Sequence, residues 1–272
     1  MPELPEVESI VRCLQAEVVG RQVERFHLYW PRTLAVPAPD AMEREIAGRR
    51  IAALRRRAKF LVFDLDGSLT LLVHLRMTGG LSLHAPDEPL APHVRAAFDL
   101  SDGRQMRFED MRKFGRIWLT ADAATVLGRL GPEPLDAAFT AEAFAARLQG
   151  RRTRLKPLLL DQTFVAGLGN IYADEAIYLA GLHPKRLAHT LRSDEAARLH
   201  GAIRTVLTEA IAHRGTTLDS YRLPNGESGG HQNYLQVFRQ AGGACPRCGT
   251  PVVREVIGGR SSFYCPCCQP AQ

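Results

Sequence analysis

Residues 61–75 read LVFDLDGSLTLLVHL: two short apolar runs rich in Leu and Val, divided at Asp66-Gly67. An Asp-Gly pair between such runs is a strong hairpin signal, because glycine accepts the positive φ that a tight turn needs. The pattern recurs downstream. RAAFDL (95–100) and RQMRFE (104–109) flank Ser101-Asp102-Gly103, and FGRIWLT (114–120) supplies a further strand. From about 23 to 120 the chain therefore reads as short strands with polar turns, the signature of an antiparallel sandwich or barrel.

On the N-terminal side of this region, residues 5 to 19 read as a helix. Val7, Ile10, Val11, Leu14 and Val18 recur at helical spacing, Pro5 suits the first turn and Gly20 the end. Glu3, Glu6 and Glu8 lie at the positive end of that helix, where carboxylates are favoured. One helix at the edge of the strands would complete an N-terminal domain. On the C-terminal side, LGPEPLD (130–136) loses the alternation and carries two prolines, as a linker does. From 140 to 213 the pattern is helical. Phe144 and Leu148 mark one helix, and Leu155, Leu158 and Leu159 another. Ala173–Ala180 and Asp194–Ala212 mark two more. A polar, glycine-rich stretch fills 215–236, and PVVREVI, Gly258-Gly259 and RSSFYC form a last hairpin.

The composition narrows the function classes. The chain has 272 residues, 45% hydrophobic and 24% charged, ordinary for a protein with a real core. It holds no apolar run of about 18 residues, so no membrane span is expected. The acidic start lacks the basic and apolar parts of a signal peptide, and a cytoplasmic protein is expected. The net charge of +6 suits a polyanionic partner. Two runs concentrate it: Arg55, Arg56, Arg57 and Lys59, then Arg147, Arg151, Arg152, Arg154 and Lys156. A solvated basic surface would explain either run equally well.

Five of the six cysteines fall between Cys245 and Cys268. Cys245-Pro-Arg-Cys248 is followed, after 16 residues, by Cys265-Pro-Cys267-Cys268. Two such pairs joined by a hairpin fit one tetrahedral zinc ion, with Cys245, Cys248, Cys265 and Cys268 as ligands. Four thiolates leave no open position, so the metal is structural. Cys267 could replace a neighbour, but a CxC or CC knuckle is less usual, and it is expected to be a bystander. Arg260, at the hairpin turn, would point outward.

MPELPEVE (1–8), HLRMTG (74–79), DMRKFG (110–115), GLGNIYADEAIYLAGLHP (167–184) and the four-cysteine tail occur in this order in one chain. Together they resemble the formamidopyrimidine-DNA glycosylase family, over the full length. The resemblance implies an α+β multidomain protein. Its parts would be an N-terminal antiparallel β-sandwich with a terminal helix, a helix–two-turns–helix domain and a β-hairpin zinc finger. The implied boundaries are a catalytic domain at 1–130 and a linker at 131–136. A DNA-binding domain with a lesion-recognition loop would follow at 137–236, and the zinc finger at 237–272.

The activity implied is bifunctional. Oxidised purines such as 8-oxoguanine and formamidopyrimidines are excised from double-stranded DNA, and the strand is cut at the resulting abasic site by β,δ-elimination. Pro2, freed by loss of Met1, would be the nucleophile. A free α-amino group titrates near pH 8, about the value in model peptides, so a useful fraction of such an amine is neutral and can form a Schiff base with the sugar. Glu3 would move protons at the sugar and the leaving base, with Glu6 in a supporting acid–base role in the same pocket. Helix-end charge complementation alone would explain them and Glu8 equally well. Lys59 would contact the lesion or its phosphate. Met77, Arg112 and Phe114 would fill the gap left by the everted nucleotide. Both apolar members lie beside glycines in polar segments, which points to loop tips rather than core. His93, Lys156, Asn170 and Arg260 complete the implied DNA contacts, and the residues from about 217 to 232 the loop over the everted base. A monomer is implied. Gly226-Glu-Ser228-Gly-Gly230 fits the GxSxG hydrolase pattern, but lacks the preceding strand and following helix that the pattern requires.

Two other readings fit part of the pattern. An endonuclease VIII-type glycosylase for oxidised pyrimidines would share Pro2, Glu3 and the helical motif. A catalytically silent, zinc-stabilised DNA-binding protein would share the charge and the hairpin, but has no need of the MPELPE opening.

Overall fold

The computed structural model describes residues 1–271 and divides into two compact units. The first holds Met1–Arg129 and His213–Gly230, the second Leu130–Ala212 and His231–Gln272. The architecture is α+β. Among the described residues, no helix is long and apolar enough to cross a membrane.

The first unit opens with helix α1 (Leu4–Val18). A capping box starts it: Glu3 and Glu6 each bond the other's backbone N–H with a side-chain oxygen, which satisfies two donors that the first turn would otherwise leave open. Val7, Ile10, Val11, Leu14 and Val18 form its buried stripe, and the chain turns out at Gly20 with φ +88°. Strand β1 (Gln22–Leu28) follows, then β2 (Leu34–Val36), helix α2 (Pro39–Ile46), β3 (Arg49–Arg57), β4 (Phe60–Leu65) and β5 (Thr70–His74). The hairpin expected at Asp66-Gly67 joins β4 to β5, with Leu65 pairing to Leu69 across it and Gly67 at φ +68°. Next come β6 (Gly79–His84), β7 (Val94–Leu100), β8 (Gln105–Asp110), β9 (Arg116–Thr120) and the short helix α3 (Ala124–Leu127).

The nine strands run in the order β2-β9-β5-β4-β3-β1-β7-β8-β6. The two halves are joined by β1 and β3, which pair at Gln22↔Arg50 and Val23↔Arg49. Both halves feed one core. Phe26, Phe98 and Phe108 come from one, Leu54, Phe63, Val73 and Ile117 from the other, and the α1 stripe joins them.

Two features differ from the sequence reading of this unit. The stretch from 23 to 120 is not all strand: α2 interrupts it, with Pro39 in its first turn and Met42 and Ile46, four residues apart, fully buried. The unit therefore carries more than the single expected helix. The polar stretch after residue 215 is also no free loop throughout, because Tyr221 and Leu223 join the core.

The second unit is built from α4 (Ala141–Leu148), α5 (Leu155–Leu160), α6 (Asn170–Leu179) and α7 (Ser193–Ala212), with the hairpin β10 (Val253–Ile257) and β11 (Arg260–Tyr264). Thr140 caps α4 by accepting from Ala143 N–H. Phe139, Phe144, Phe164 and His200 make an aromatic cluster in its core. Gly258 and Gly259, both at positive φ, form the two-residue turn of the hairpin.

Candidate active site

The N-terminal end of α1 carries the first group of expected residues. Pro2 is buried, and Met1 before it is 47% exposed. Glu3 and Glu6 are both buried. The backbone N–H of Glu3 donates to Glu6 Oε2 at 2.7 Å, and that of Thr216 donates to Glu6 Oε1 at 2.8 Å. The Tyr221 hydroxyl donates to the carbonyls of Arg214 and, at 3.4 Å, Glu6. Both oxygens of Glu6 are thus engaged in holding backbone. Glu8 faces elsewhere and pairs with Arg56 at 3.0 Å and Arg12 at 2.9 Å. The three acids that charge alone left equivalent are separated by their surroundings.

Lys59 is buried in the two-residue turn between β3 and β4, next to Ala58 at φ +52°. Of the basic run before it, Arg55 pairs with Asp64 and Arg56 with Glu8, so these two are not simply solvated charges. His74, at the end of β5, is buried against Phe60, with ring centroids 4.6 Å apart. Burial, reinforced by the charges of Arg76 and Lys59, pushes its imidazole down to about 3, so it is neutral. Its Nδ1 accepts from Arg76 N–H.

Met77 and Phe114 stand at exposed loop tips, 39% and 50% exposed, and Arg112 is exposed with its guanidinium 4.9 Å over the Phe114 ring. His93 is exposed; its carbonyl accepts from Asp110 N–H at 2.8 Å, and its ring lies 3.3 Å from Arg95.

In the second unit Lys156 departs from expectation. It is 0% exposed, so as placed its ammonium cannot touch a phosphate. The apolar face of α5 turns inward and takes Lys156 with it, and the charge is met there by Asp174 Oδ1 at 2.5 Å and the Asn170 carbonyl at 3.0 Å. Burial pushes the Asp174 carboxyl up to about 7, against the pull of Lys156 and of Phe263 N–H. Arg147 of the same basic run is likewise structural, donating to the carbonyls of Thr163 and Phe164. Arg151, Arg152 and Arg154 are exposed.

Asn170 is the first residue of α6, after Gly167 at φ +90° and the N-cap Gly169. Its side-chain Nδ2 donates to the Ser261 carbonyl at 2.9 Å, beside the exposed Arg260. Asp174 Oδ2 accepts from Phe263 N–H in the same strand. The start of α6, Lys156 and the hairpin are therefore one hydrogen-bonded assembly.

The sulfurs of Cys245, Cys248, Cys265 and Cys268 lie within 4.8 Å of one another, with Cys248–Cys265 at 3.5 Å and Cys245–Cys268 at 3.9 Å. Tetrahedral Zn–S bonds of about 2.3 Å place sulfurs about 3.8 Å apart, so the set fits one zinc ion. The Thr250 hydroxyl and N–H pull the Cys248 thiol down to about 6, toward the thiolate that binds metal. Cys267 is exposed and outside the set. Tyr178, buried in α6, places its hydroxyl 3.2 Å from Cys245 Sγ, and Arg247 stacks 4.4 Å from the Tyr178 ring centroid. Asp110, Thr78, Asp174 and Tyr178 escaped the sequence reading. Each sits inside a quoted motif, but nothing in the sequence marks which loop or thiol it reaches.

Comparison with known proteins finds relatives that cover nearly the whole chain. The family models for the formamidopyrimidine-DNA glycosylase N-terminal domain, its H2TH domain and the zinc finger found in FPG and IleRS match residues 1–117, 130–221 and 242–271. A formamidopyrimidine-DNA glycosylase of Pelotomaculum thermopropionicum is 47% identical over 99% of both chains. The wild-type Lactococcus lactis Fpg (MutM), solved with N7-benzyl-Fapy-dG DNA, superposes with a TM-score of 0.93 at 34% identity, covering 99% of this chain and 100% of that one. The same protein with abasic-site DNA gives 0.92 at 33% identity, with the same coverage.

Proposed function

Because this chain belongs to the formamidopyrimidine-DNA glycosylase family, we propose that it excises oxidised purines from double-stranded DNA and cleaves the strand at the abasic site. It is a base excision repair enzyme, a glycosylase and an abasic-site lyase, with one structural zinc. Its relatives are seen with DNA carrying a formamidopyrimidine or an abasic site, and this chain takes the same class of substrate. The working division is a catalytic domain at 1–130, a linker at 131–136, a DNA-binding domain at 137–236 and the zinc finger at 237–272, with the difference that His213–Gly230, expected in the DNA-binding domain, packs in the first compact unit. The protein acts as a monomer in the cytoplasm, on the nucleoid.

The observation that carries the mechanism is the buried Pro2-Glu3 step on the capping box of α1. Exposed Met1 is removed, leaving a secondary amine on Pro2. Its lone pair attacks the sugar C1′, the base departs with the glycosidic electrons, and the proton lost by the bonded nitrogen goes to the base, which returns the nitrogen its lone pair. Glu3 protonates the ring oxygen as the C1′–O4′ bond breaks, and the nitrogen lone pair completes the iminium. That cation withdraws electrons, so loss of a C2′ proton expels the 3′ phosphate, and a second proton loss expels the 5′ phosphate. Glu6 acts through position: it fixes the backbone of Glu3 and of Thr216. Lys59 contacts the lesion or its phosphate. Met77, Arg112 and Phe114 fill the gap in the duplex, Arg112 facing the orphaned partner base. Asn170 and Arg260 grip phosphates, with His93 a further contact. Lys156 supports Asn170 from inside.

Borohydride reduction during incubation with an 8-oxoguanine duplex tests this reading. Protein lacking Met1 should give a covalent adduct, and Pro2→Gly should lose it while retaining most of its DNA affinity. An undiminished adduct from Pro2→Gly, or an active protein that keeps Met1, would remove Pro2 as the nucleophile. A duplex carrying thymine glycol, run in parallel, separates purine from pyrimidine preference.

A further inference from the structure

Met77 and Phe114 are exposed apolar side chains, so core packing does not aim them. Their direction depends on two short loops, residues 75–79 and 110–115, and one buried carboxylate joins those loops. Asp110 Oδ1 accepts from the Thr78 hydroxyl at 2.5 Å and from Arg112 N–H at 3.1 Å; Oδ2 accepts from Gly115 N–H at 2.6 Å. Arg112 N–H also lies 3.1 Å from the Thr78 hydroxyl oxygen, so the two loops share one donor. The main chain of Asp110 is fixed in turn. Its N–H donates to the His93 carbonyl, and its carbonyl accepts from Arg95 Nε at 2.8 Å.

The backbone between these anchors has no slack. A Cβ on Gly115 would lie 2.3 Å from the Phe108 ring and 3.2 Å from Asp110 Oδ2; one on Gly79 would lie 2.4 Å from the Leu75 carbonyl oxygen. Lys113 takes φ +59°, rare for a side chain of its size, and its ammonium lies 4.1 Å from the Trp30 ring centroid. The reversal at Lys113 lets Arg112 and Phe114 meet on one side.

We propose that Asp110, with Thr78 as its partner across the loops, is the positioning residue that presets Met77, Arg112 and Phe114 as one wedge before DNA arrives. The inference rests on the gap-filling reading of those three residues. It adds that the wedge is built by a carboxylate that touches no DNA itself. A wedge set in advance gains most where a stacked base must be pushed out, and least where the base is already gone.

Excision of 8-oxoguanine from a duplex and strand cleavage at a preformed abasic site are measured for wild type, Asp110→Asn, Thr78→Val and Thr78→Ser. Thr78→Val should slow excision about tenfold, as expected for loss of one hydrogen bond to a charged group, with abasic cleavage held within about threefold. Asp110→Asn should do more, because its amide turns a donor toward donors. Thr78→Ser, which keeps the hydroxyl, should restore excision. The Thr78 pair decides the matter even if Asp110→Asn fails to fold. Equal loss of both activities in Thr78→Val, or no loss of excision, overturns the proposal. A wild-type protein that excises no oxidised purine overturns the functional reading on which it stands.

Discussion

Glu6 and Thr216 stand 210 positions apart, yet the carboxylate of the first accepts the backbone N–H of the second at 2.8 Å. That bond ties the start of α1 to the segment that returns to the first unit at His213–Gly230. Gly215, beside it, has φ +79°, and a Cβ there would lie 2.9 Å from Glu6 Oε1. Gly215→Ala should therefore destabilise the protein by about 2 kcal/mol, the left-handed strain of a non-glycine residue plus the clash. It should also slow adduct formation at Pro2, because Glu6 cannot hold Glu3 and Thr216 at once if it moves. Thermal melting and single-turnover trapping would check this; wild-type values in both would mean the Glu6 bridge carries no strain.

His74 gives the fold an acid limit. Its folded pKa lies near 3, below the ordinary 6.5 of the unfolded chain. Above pH 6.5 both states are neutral and stability is complete. As pH falls, the unfolded chain takes up a proton that the folded one refuses, and stability drains until about pH 3. The slope approaches about 1.4 kcal/mol per pH unit, or about 2 kcal/mol lost by pH 5. Urea melts of wild type and His74→Gln from pH 7.5 to 4.5 would show the wild-type curve falling more steeply by this amount. Parallel curves would contradict a neutral, buried imidazole.

The Lys156–Asp174 pair predicts an asymmetric response to mutation. Lys156→Met strands a buried carboxyl and should cost about 3–5 kcal/mol. The loss should be larger at pH 8.5 than at pH 5.5, because a carboxyl whose pKa is raised by burial loses stability as pH rises through that pKa. Replacing both residues, Lys156→Met with Asp174→Leu, should recover much of the loss. Denaturant melts at the two pH values supply the measurement, and a double variant no more stable than the single one would show that the ion pair is not the source.

Zinc retention should depend on Tyr178. Burial and the neighbouring thiol hold its hydroxyl protonated, so it donates to Cys245 Sγ. Groups that hydrogen-bond a metal ligand in this way commonly change metal affinity by about 10- to 100-fold. Tyr178→Phe should release zinc to a coloured chelator about ten times faster than wild type, and Cys248→Ser should not hold it. Equal release rates for Tyr178→Phe and wild type would leave the hydroxyl without a role at the metal.

Local signals in the sequence carried far in this protein. The Asp66-Gly67 hairpin, the stripe of α1 and the paired cysteines are each read from neighbours a few residues apart, because turn chemistry, helical period and chelate spacing are short-range properties. The burial of Lys156 could not be read that way. An ammonium in a basic run resembles surface until Asp174 and the Asn170 carbonyl are brought around it. The α2 helix was missed for a related reason, since Met42 and Ile46 give only one turn of period within a stretch dominated by strands.

The sequence by itself determined the first helix, the hairpins and the four-cysteine set, since covalent neighbours and residue type suffice for these. Tertiary structure alone decided the partnerships: Glu6 with Thr216, Asp110 with Thr78, Asn170 with Ser261. Hydrogen bonds and ion pairs reach only about 3 Å, and which groups come that close is fixed by how strands and helices bury their apolar faces.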